Sequence, residues 1–199
     1  GKVAYESGPS LEYRIAEAGH YPDKRNKKGV ELEGAEVGKF GDTNYLFVAS
    51  ERASIVGVYK DTGAEPQFVQ LLPSGVAPEG VLAIPSRNLL VTANEADLVE
   101  DGGARSHVMI YELKDQKPNY PQIVSTMKDD GTPLGWGALS GLVADLKEAG
   151  KLYAVSDSFY SAAPSIFTID ANQSPARITK ALVVKRGGQP AQKLDLEGI

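Results

Sequence analysis

The sequence predicts an all-β fold of the β-propeller class, built from a four-stranded unit that occurs about three times. A short motif of a small or acidic residue, a glycine and an apolar residue recurs at Gly34, Gly80, Gly141 and Gly198. After each of the first three glycines come short runs of β-branched, aromatic and aliphatic residues that end in turn residues. The chain also contains 21 glycines and 12 prolines, which favour many turns over a few long helices.

The strands are predicted unit by unit from these runs. The second strands cover residues 45–50, 88–94 and 151–156, and each ends in a small polar residue followed by a carboxylate. The third strands cover residues 55–59, 108–111 and 166–169. Fourth strands close the first and third units at residues 67–71 and 178–182, and residues 122–125 are the candidate for the second unit. Residues 142–151 have a helix-forming composition, but the repeat register predicts a strand end and a turn there.

These assignments predict blades at residues 30–76, 77–137 and 138–193. Residues 1–29 would supply a strand, at residues 11–15, and a loop of an incomplete blade, and residues 194–199 the first strand of a further blade. A closed propeller usually needs about 4–8 blades. We therefore expect a fragment of a larger propeller, or a half that closes by pairing with a second copy. A β-sandwich is the alternative fold.

Composition excludes several function classes. The chain has no cysteine, which rules out thiol nucleophiles, thiolate zinc sites and disulfides. Its net charge of -5 argues against a nucleic-acid or anionic-membrane surface, because both reward basic patches. No apolar run reaches the roughly 18 residues of a membrane span. The Gly-x-Ser-x-Gly elbow of hydrolases is also missing.

The repeat residues resemble two known families. Residues 139–142, 152–157 and 194–199 resemble the "esterase-like activity of phytase" family. Residues 45–59, 77–80 and 93–95 resemble secreted bacterial choice-of-anchor proteins, which are often labelled alkaline phosphatases. Together the resemblances span roughly residues 30–199. They imply a secreted, periplasmic or surface β-propeller with phosphomonoester hydrolysis, calcium as a cofactor and a phosphorylated small molecule as substrate.

The candidate metal ligands are carboxylates at repeat-related positions. In a propeller, such positions near one end of the inner strands point towards a shared centre. Clustered carboxylates repel one another unless a cation neutralises them, and calcium takes 6–8 oxygen ligands in loose geometry. The predicted ligands are Glu33, Glu51, Glu79, Glu95, Asp157, Asp195 and Glu197. The alternative is that these acids only shape the turns of each blade.

Two function classes therefore remain open. One is a calcium-dependent phosphoesterase, for which Arg52, Arg87 and Arg105 are candidates to bind phosphate through paired N–H donors. The other is a non-catalytic propeller that serves as a binding module or scaffold at the cell surface. No nucleophile or general base stands out in the sequence, so the catalytic residues are not predicted.

Overall fold

The computed structural model describes residues 1–23, 27–117, 122–158 and 160–199, and their regular structure is mostly β. One helix, α1, covers Ser10–Glu17, and two 3-10 turns cover Pro85–Arg87 and Val99–Asp101. The strands are β1 (Leu32–Phe40), β2 (Thr43–Ser50), β3 (Ile55–Lys60), β4 (Gln67–Pro73), β5 (Pro78–Ile84), β6 (Leu89–Asn94), β7 (His107–Glu112), β8 (Ile123–Ser125), β9 (Leu139–Ala144), β10 (Lys151–Ser156), β11 (Ser165–Asp170), β12 (Ala176–Val183), β13 (Lys185–Arg186) and β14 (Gln189–Pro190).

The strands form three main sheets in which neighbours along the chain pair side by side. The first sheet has the order β1-β2-β3-β4 and the second has the order β5-β6-β7. The third has the order β8-β12-β11-β10-β9, and β13 and β14 form a separate hairpin. All the pairs of the meanders β1–β4, β5–β7 and β9–β12 are antiparallel. The prediction of an all-β, propeller-like fold is therefore confirmed, including the strand end and turn at residues 142–151.

The chain divides into two compact units, each with its own core. The first unit contains Gly1–Leu11 and Lys24–Lys117, and the second contains Glu12–Asp23 and Pro118–Ile199. The core of the first unit is formed by Phe40, Phe47, Val56, Val58 and Leu90. The core of the second unit is formed by Trp136, Ala154, Phe167, Ile169 and Ile178.

Within the first unit, the first strands of its two sheets lie against each other. A Cβ atom added to Gly34 of β1 would lie 2.3 Å from the carbonyl oxygen of Glu79 in β5. A Cβ added to Gly38 would lie 2.7 Å from the Cβ of Ala83. Only a residue without a side chain allows the backbones to come this close. The repeat glycine of β1 therefore brings the start of β1 beside the start of β5.

The strand predicted at residues 11–15 is wrong, because this segment lies in α1. Leu11 and Ile15 are four residues apart, so a helix places both on one face, and they are 4% and 0% exposed. Leu11, Tyr13 and Ile15 also fit the strand period of two, so five residues are too few to separate that pattern from the helical one.

Two further strand predictions fail. Residues 123–125 do form a strand, β8, but it pairs in parallel with β12 rather than closing the second sheet. Three residues carry too little pattern to specify a partner strand. Residues 194–199 form no strand, although Gly198 lies beside β9, with its Cα 3.0 Å from the position of a Cβ on Gly141. An extended segment becomes a strand only when its backbone pairs with a neighbour. The blade boundaries themselves stay a prediction.

Candidate functional site: clustered carboxylates at the strand starts

Each of the first three repeat motifs forms a β-bulge. The pairing of β1 with β2 skips Glu33, and the pairing of β5 with β6 skips Glu79. In the third sheet, the pairing of β9 with β10 skips Ser140. In every case the skipped residue directly precedes the repeat glycine. A bulge leaves its extra residue out of the ladder and turns its side chain away from the regular alternation, which often serves a site.

The bulges share a main-chain anchor. Three residues before each of these three glycines, the backbone adopts a positive φ, of 48° at Glu31, 57° at Ala77 and 44° at Ala138. The carbonyl of this residue accepts a hydrogen bond from the N–H of the residue that follows the second strand. The three bonds are Glu51 to Glu31 at 2.9 Å, Glu95 to Ala77 at 2.9 Å and Asp157 to Ala138 at 3.0 Å. The carboxylates predicted after the second strands are thus held at equivalent places by backbone bonds.

In the first unit, the bulges of β1 and β5 bring three carboxylates together. The Glu79 carboxyl interacts with the carboxyls of both Glu95 and Glu33. The pKa of the Glu79 carboxyl is raised, first by the negative charge of Glu95, then by loss of solvation and then by the charge of Glu33. Like charges at short range disfavour ionisation. Glu79 is therefore repelled by both neighbouring carboxylates, and a cation bound beside it would reduce that repulsion.

A second set of acids adjoins the trio through Glu33. Carboxylate oxygens of Glu31, Glu33 and Glu51 all lie within 4.8 Å of one another. Two cationic side chains accompany this set. Lys28 pairs with Glu31, and Arg52 pairs with Glu31 through Nε and with Glu51 through Nη1 at 3.2 Å.

The pKa values of the two carboxyls beside Arg52, those of Glu31 and Glu51, are shifted in opposite directions. Hydrogen bonds from Lys28 and Arg52 lower the pKa of Glu31 to about 2, so this carboxylate stays ionised. Burial raises the pKa of Glu51, which is 7% exposed, and the charge of Arg52 opposes that rise. Glu51 therefore holds a proton more readily than Glu31.

The second unit contains the remaining candidates. Asp157 and Asp195 are hydrogen-bonded to each other, which raises the pKa of Asp195 and lowers that of Asp157, and the charge of Glu197 raises the pKa of Asp195 further. The Asp157 carboxylate also accepts a hydrogen bond from the Ser158 N–H. All three side chains are exposed.

The structure therefore gathers the seven predicted ligands into two groups, one in each unit. Glu33, Glu51, Glu79 and Glu95 belong to the first group, and Asp157, Asp195 and Glu197 belong to the second. Sequence reasoning missed Glu31, because its equivalents in the other repeats are Ala77 and Ala138. The signal that could have found it is the Glu-x-Glu spacing of Glu31 and Glu33.

The candidate phosphate-binding arginines are placed very differently. Arg52 adjoins the first carboxylate group, as described above. Arg105 pairs with Asp97 at 3.2 Å, and Arg87 is exposed in the turn Pro85–Arg87. Arg52 is thus the candidate that the fold brings to the acids.

The donor set of the first group fits calcium in its chemistry. Calcium prefers several hard oxygen ligands and tolerates irregular geometry. The carboxylates of Glu33, Glu79 and Glu95 supply such oxygens from two neighbouring sheets. Glu31 and Glu51 supply more, although Lys28 and Arg52 already balance part of their charge.

Comparisons with known proteins match the two resemblances seen in the sequence. A model of the family described as "Esterase-like activity of phytase" matches residues 134–199, and a model of the choice-of-anchor I domain matches residues 1–64. Both families are of the β-propeller type. The resemblances at residues 139–142, 152–157, 194–199 and 45–59 lie within the matched ranges. Those at residues 77–80 and 93–95 lie outside both ranges and stay predictions.

Solved structures give only distant likenesses. Hydrazine synthase of Kuenenia stuttgartiensis has 15% identity and a TM-score of 0.33, covering 82% of this chain and 53% of the other. A functionally unknown protein from Desulfotomaculum acetoxidans DSM 771 has 12% identity and a TM-score of 0.32, covering 84% and 47%. The chain thus spans about half the length of these structures. No curated protein matches the chain.

Proposed function

We propose that this chain is part of a phytase-like propeller that binds calcium through its bulge carboxylates and hydrolyses phosphomonoesters. The observation that carries the proposal is the trio of Glu33, Glu79 and Glu95, in which neighbouring carboxylates raise the pKa of Glu79. Glu33 and Glu79 lie at the bulges of β1 and β5, and Glu95 follows β6; the repulsion of Glu79 by both neighbours would be reduced by a bound divalent cation.

Glu33, Glu79 and Glu95 would bind the cation, and their repulsion would fall as they did so. Calcium, when bound, would supply positive charge to hold phosphate oxygens and lower the pKa of a bound water. Arg52, fixed by Glu31 and Glu51, would present N–H donors to phosphate at the edge of the same group. The Glu51 carboxyl, whose pKa is raised by burial, would hold a proton beside the bound phosphate.

The first test of this proposal is a thermal melt of the chain in calcium and again in chelator. We expect the melting temperature to rise by several degrees in calcium, because a ligand that binds only the folded state stabilises it. Glu79→Gln should abolish most of the rise. Glu100→Gln is the matched control, because Glu100 is an exposed acid of the turn Val99–Asp101.

The second test is hydrolysis of p-nitrophenyl phosphate across a series of divalent metals. Turnover that requires calcium and falls in Glu79→Gln and Arg52→Ala would support the enzyme. A calcium-induced rise equal in Glu79→Gln and Glu100→Gln would refute the cation site. Absence of turnover in the full-length protein with every metal would refute the hydrolase.

A non-catalytic scaffold at the cell surface is the second candidate, and one observation favours it. The hydrogen bonds made by the N–H groups of Glu51, Glu95 and Asp157 recur in all three repeats. A feature present in every blade is what a structural role produces. Calcium binding without hydrolysis would select this function.

The place of action and the partners are also proposals. The match to a choice-of-anchor domain supports an extracellular, periplasmic or cell-surface location. Of the helices in the described part of the chain, none has the length and apolar character that a membrane crossing requires. We further propose that a second copy, or further blades, complete the propeller. Sedimentation analysis of the chain would test pairing.

A further inference from the structure

The first unit contains a cavity that is separate from the carboxylate group of Glu31, Glu33, Glu51, Glu79 and Glu95. It has a volume of about 120 Å³ and lies where the side chains of β1–β4 meet those of β6 and β7. Its walls include Phe40, Tyr45, Phe47, Leu90 and Tyr111. A cavity of roughly 150 Å³ with apolar walls is large enough to bind a benzene ring. The volume is therefore of the size that takes one small ring.

The aromatic walls favour an aromatic ligand over an aliphatic one. Phe40 meets Phe47 at a centroid distance of 5.9 Å and Tyr45 at 6.1 Å, both edge to face. Tyr45 stacks on Phe47 at 6.2 Å. Aromatic rings prefer such offset and edge-to-face arrangements, at centroid separations of about 4.5–7 Å. A further ring in the cavity can extend this pattern.

Hydrogen bonds that need no ligand hold the cavity open. The Tyr111 hydroxyl donates to the Pro73 carbonyl at 2.8 Å, which joins β7 to the end of β4. The Leu113 N–H donates to the Asn88 carbonyl at 2.8 Å and links the two backbone segments at the rim of the cavity. Both bonds fix wall residues in place, so the cavity is preformed.

The rim is polar and its charge is balanced. Gln70, Asn88 and Glu112 line the cavity beside its apolar walls, and Asn88 and Glu112 are exposed. Lys114 pairs with Glu112 at 2.7 Å, so the rim offers no uncompensated charge to an ionic ligand. A neutral ring with one polar substituent matches an apolar floor and a polar mouth.

We propose that this cavity binds a single neutral aromatic ring with a hydroxyl or amide substituent, and phenol is the simplest such compound. The site is independent of the cation site, because its residues are distinct from the bulge carboxylates. It adds a small-molecule binding function to the first unit.

Saturation-transfer NMR on the full chain tests this with phenol as the probe and cyclohexanol as the aliphatic comparison. We expect saturable phenol binding, with a dissociation constant on the order of 1 mM, and weaker binding of cyclohexanol. Val69→Trp should weaken phenol binding by about tenfold or more, because Val69 lines the cavity and the larger side chain fills it. Val37→Trp is the control, because Val37 is an exposed strand residue of the same sheet, outside the cavity lining.

Val69→Phe provides a milder filling variant if Val69→Trp does not fold, and circular dichroism checks both. Phenol binding that does not saturate would overturn the proposal. Equal weakening in the filling variant and in Val37→Trp would overturn it too, and so would cyclohexanol binding as tight as phenol binding.

Discussion

Replacing Gly34 by alanine should destabilise the protein and disturb the carboxylate group together. The new Cβ would lie 2.3 Å from the carbonyl oxygen of Glu79 and 3.3 Å from Cγ2 of Val81. Real Cβ atoms essentially never come within 3.0 Å of another heavy atom, and the obstacle here is backbone rather than a flexible side chain. The two strands must therefore move apart at the place where Glu33 and Glu79 meet.

The cost can be estimated from overpacking. Forcing extra atoms into a packed interior typically costs about 1–3 kcal/mol, and a backbone obstacle argues for the upper end. Alanine also lowers the conformational entropy of the unfolded chain relative to glycine, which stabilises the folded state by roughly 0.4–1 kcal/mol. The net loss is about 2 kcal/mol, which lowers the melting temperature by about 4–8 °C for a chain of this size.

Gly80→Ala is the matched control, since it changes the equivalent glycine of the next repeat. Its Cβ would meet Ala93 Cβ at 3.2 Å, so a small shift accommodates it. Urea unfolding and thermal melts should show Gly80→Ala within about 0.5 kcal/mol of the parent, as for ordinary substitutions. Equal stability losses in the two variants would refute the idea that Gly34 sets the approach of β1 to β5.

Three further predictions concern single side chains. At pH 7 in chelator, Glu79→Gln should raise the melting temperature, because the raised pKa of Glu79 means that its ionised carboxylate disfavours the folded state. This gain in melting temperature should fade as the pH falls and vanish below the ordinary pKa of 4.5. A lower melting temperature at pH 7 would contradict the prediction. Trp136→Phe should lower the free energy of unfolding by about 1–3 kcal/mol in urea titrations, because the indole N–H donates a hydrogen bond to the Glu17 carbonyl at 2.8 Å. A decrease of less than about 0.5 kcal/mol would argue against a contribution from that bond. An NMR titration should give Asp145 a pKa of about 2, because its carboxylate accepts hydrogen bonds from the backbone N–H groups of Lys147 and Glu148 and from the Tyr153 hydroxyl, the last at 2.8 Å. A pKa in the ordinary range, or an Asp145 pKa that does not rise in Tyr153→Phe, would contradict this.

The sheets could be predicted because two sequence signals agreed. Apolar runs gave the positions of the strands, and the repeat glycines gave their order within each unit. The helix α1 was missed because a short window with Leu11 and Ile15 was interpreted with the wrong period. The partner of β8 was missed because parallel pairing with β12 depends on the fold as a whole.

The candidate site was predictable only where it follows the repeat. Glu33 and Glu79 precede the repeat glycines, and Glu95 follows a second strand, so all three were found. Glu31 was not, because only the first repeat has an acid there, and its partner Arg52 is set by tertiary contacts. Whether the seven acids share a centre depends on packing that no spacing encodes.

The main-chain anchor of the bulges has a consequence for how such a protein can change. Carbonyl and N–H groups hold the loop, so the identity of the side chain at the positive-φ position is left open, and this chain carries glutamate at Glu31 but alanine at Ala77 and Ala138. Ligands can therefore be gained or lost in one blade at a time, while the scaffold stays intact. Such a scaffold is evolvable in steps, and an engineer could graft new acids onto the alanine positions in the same way.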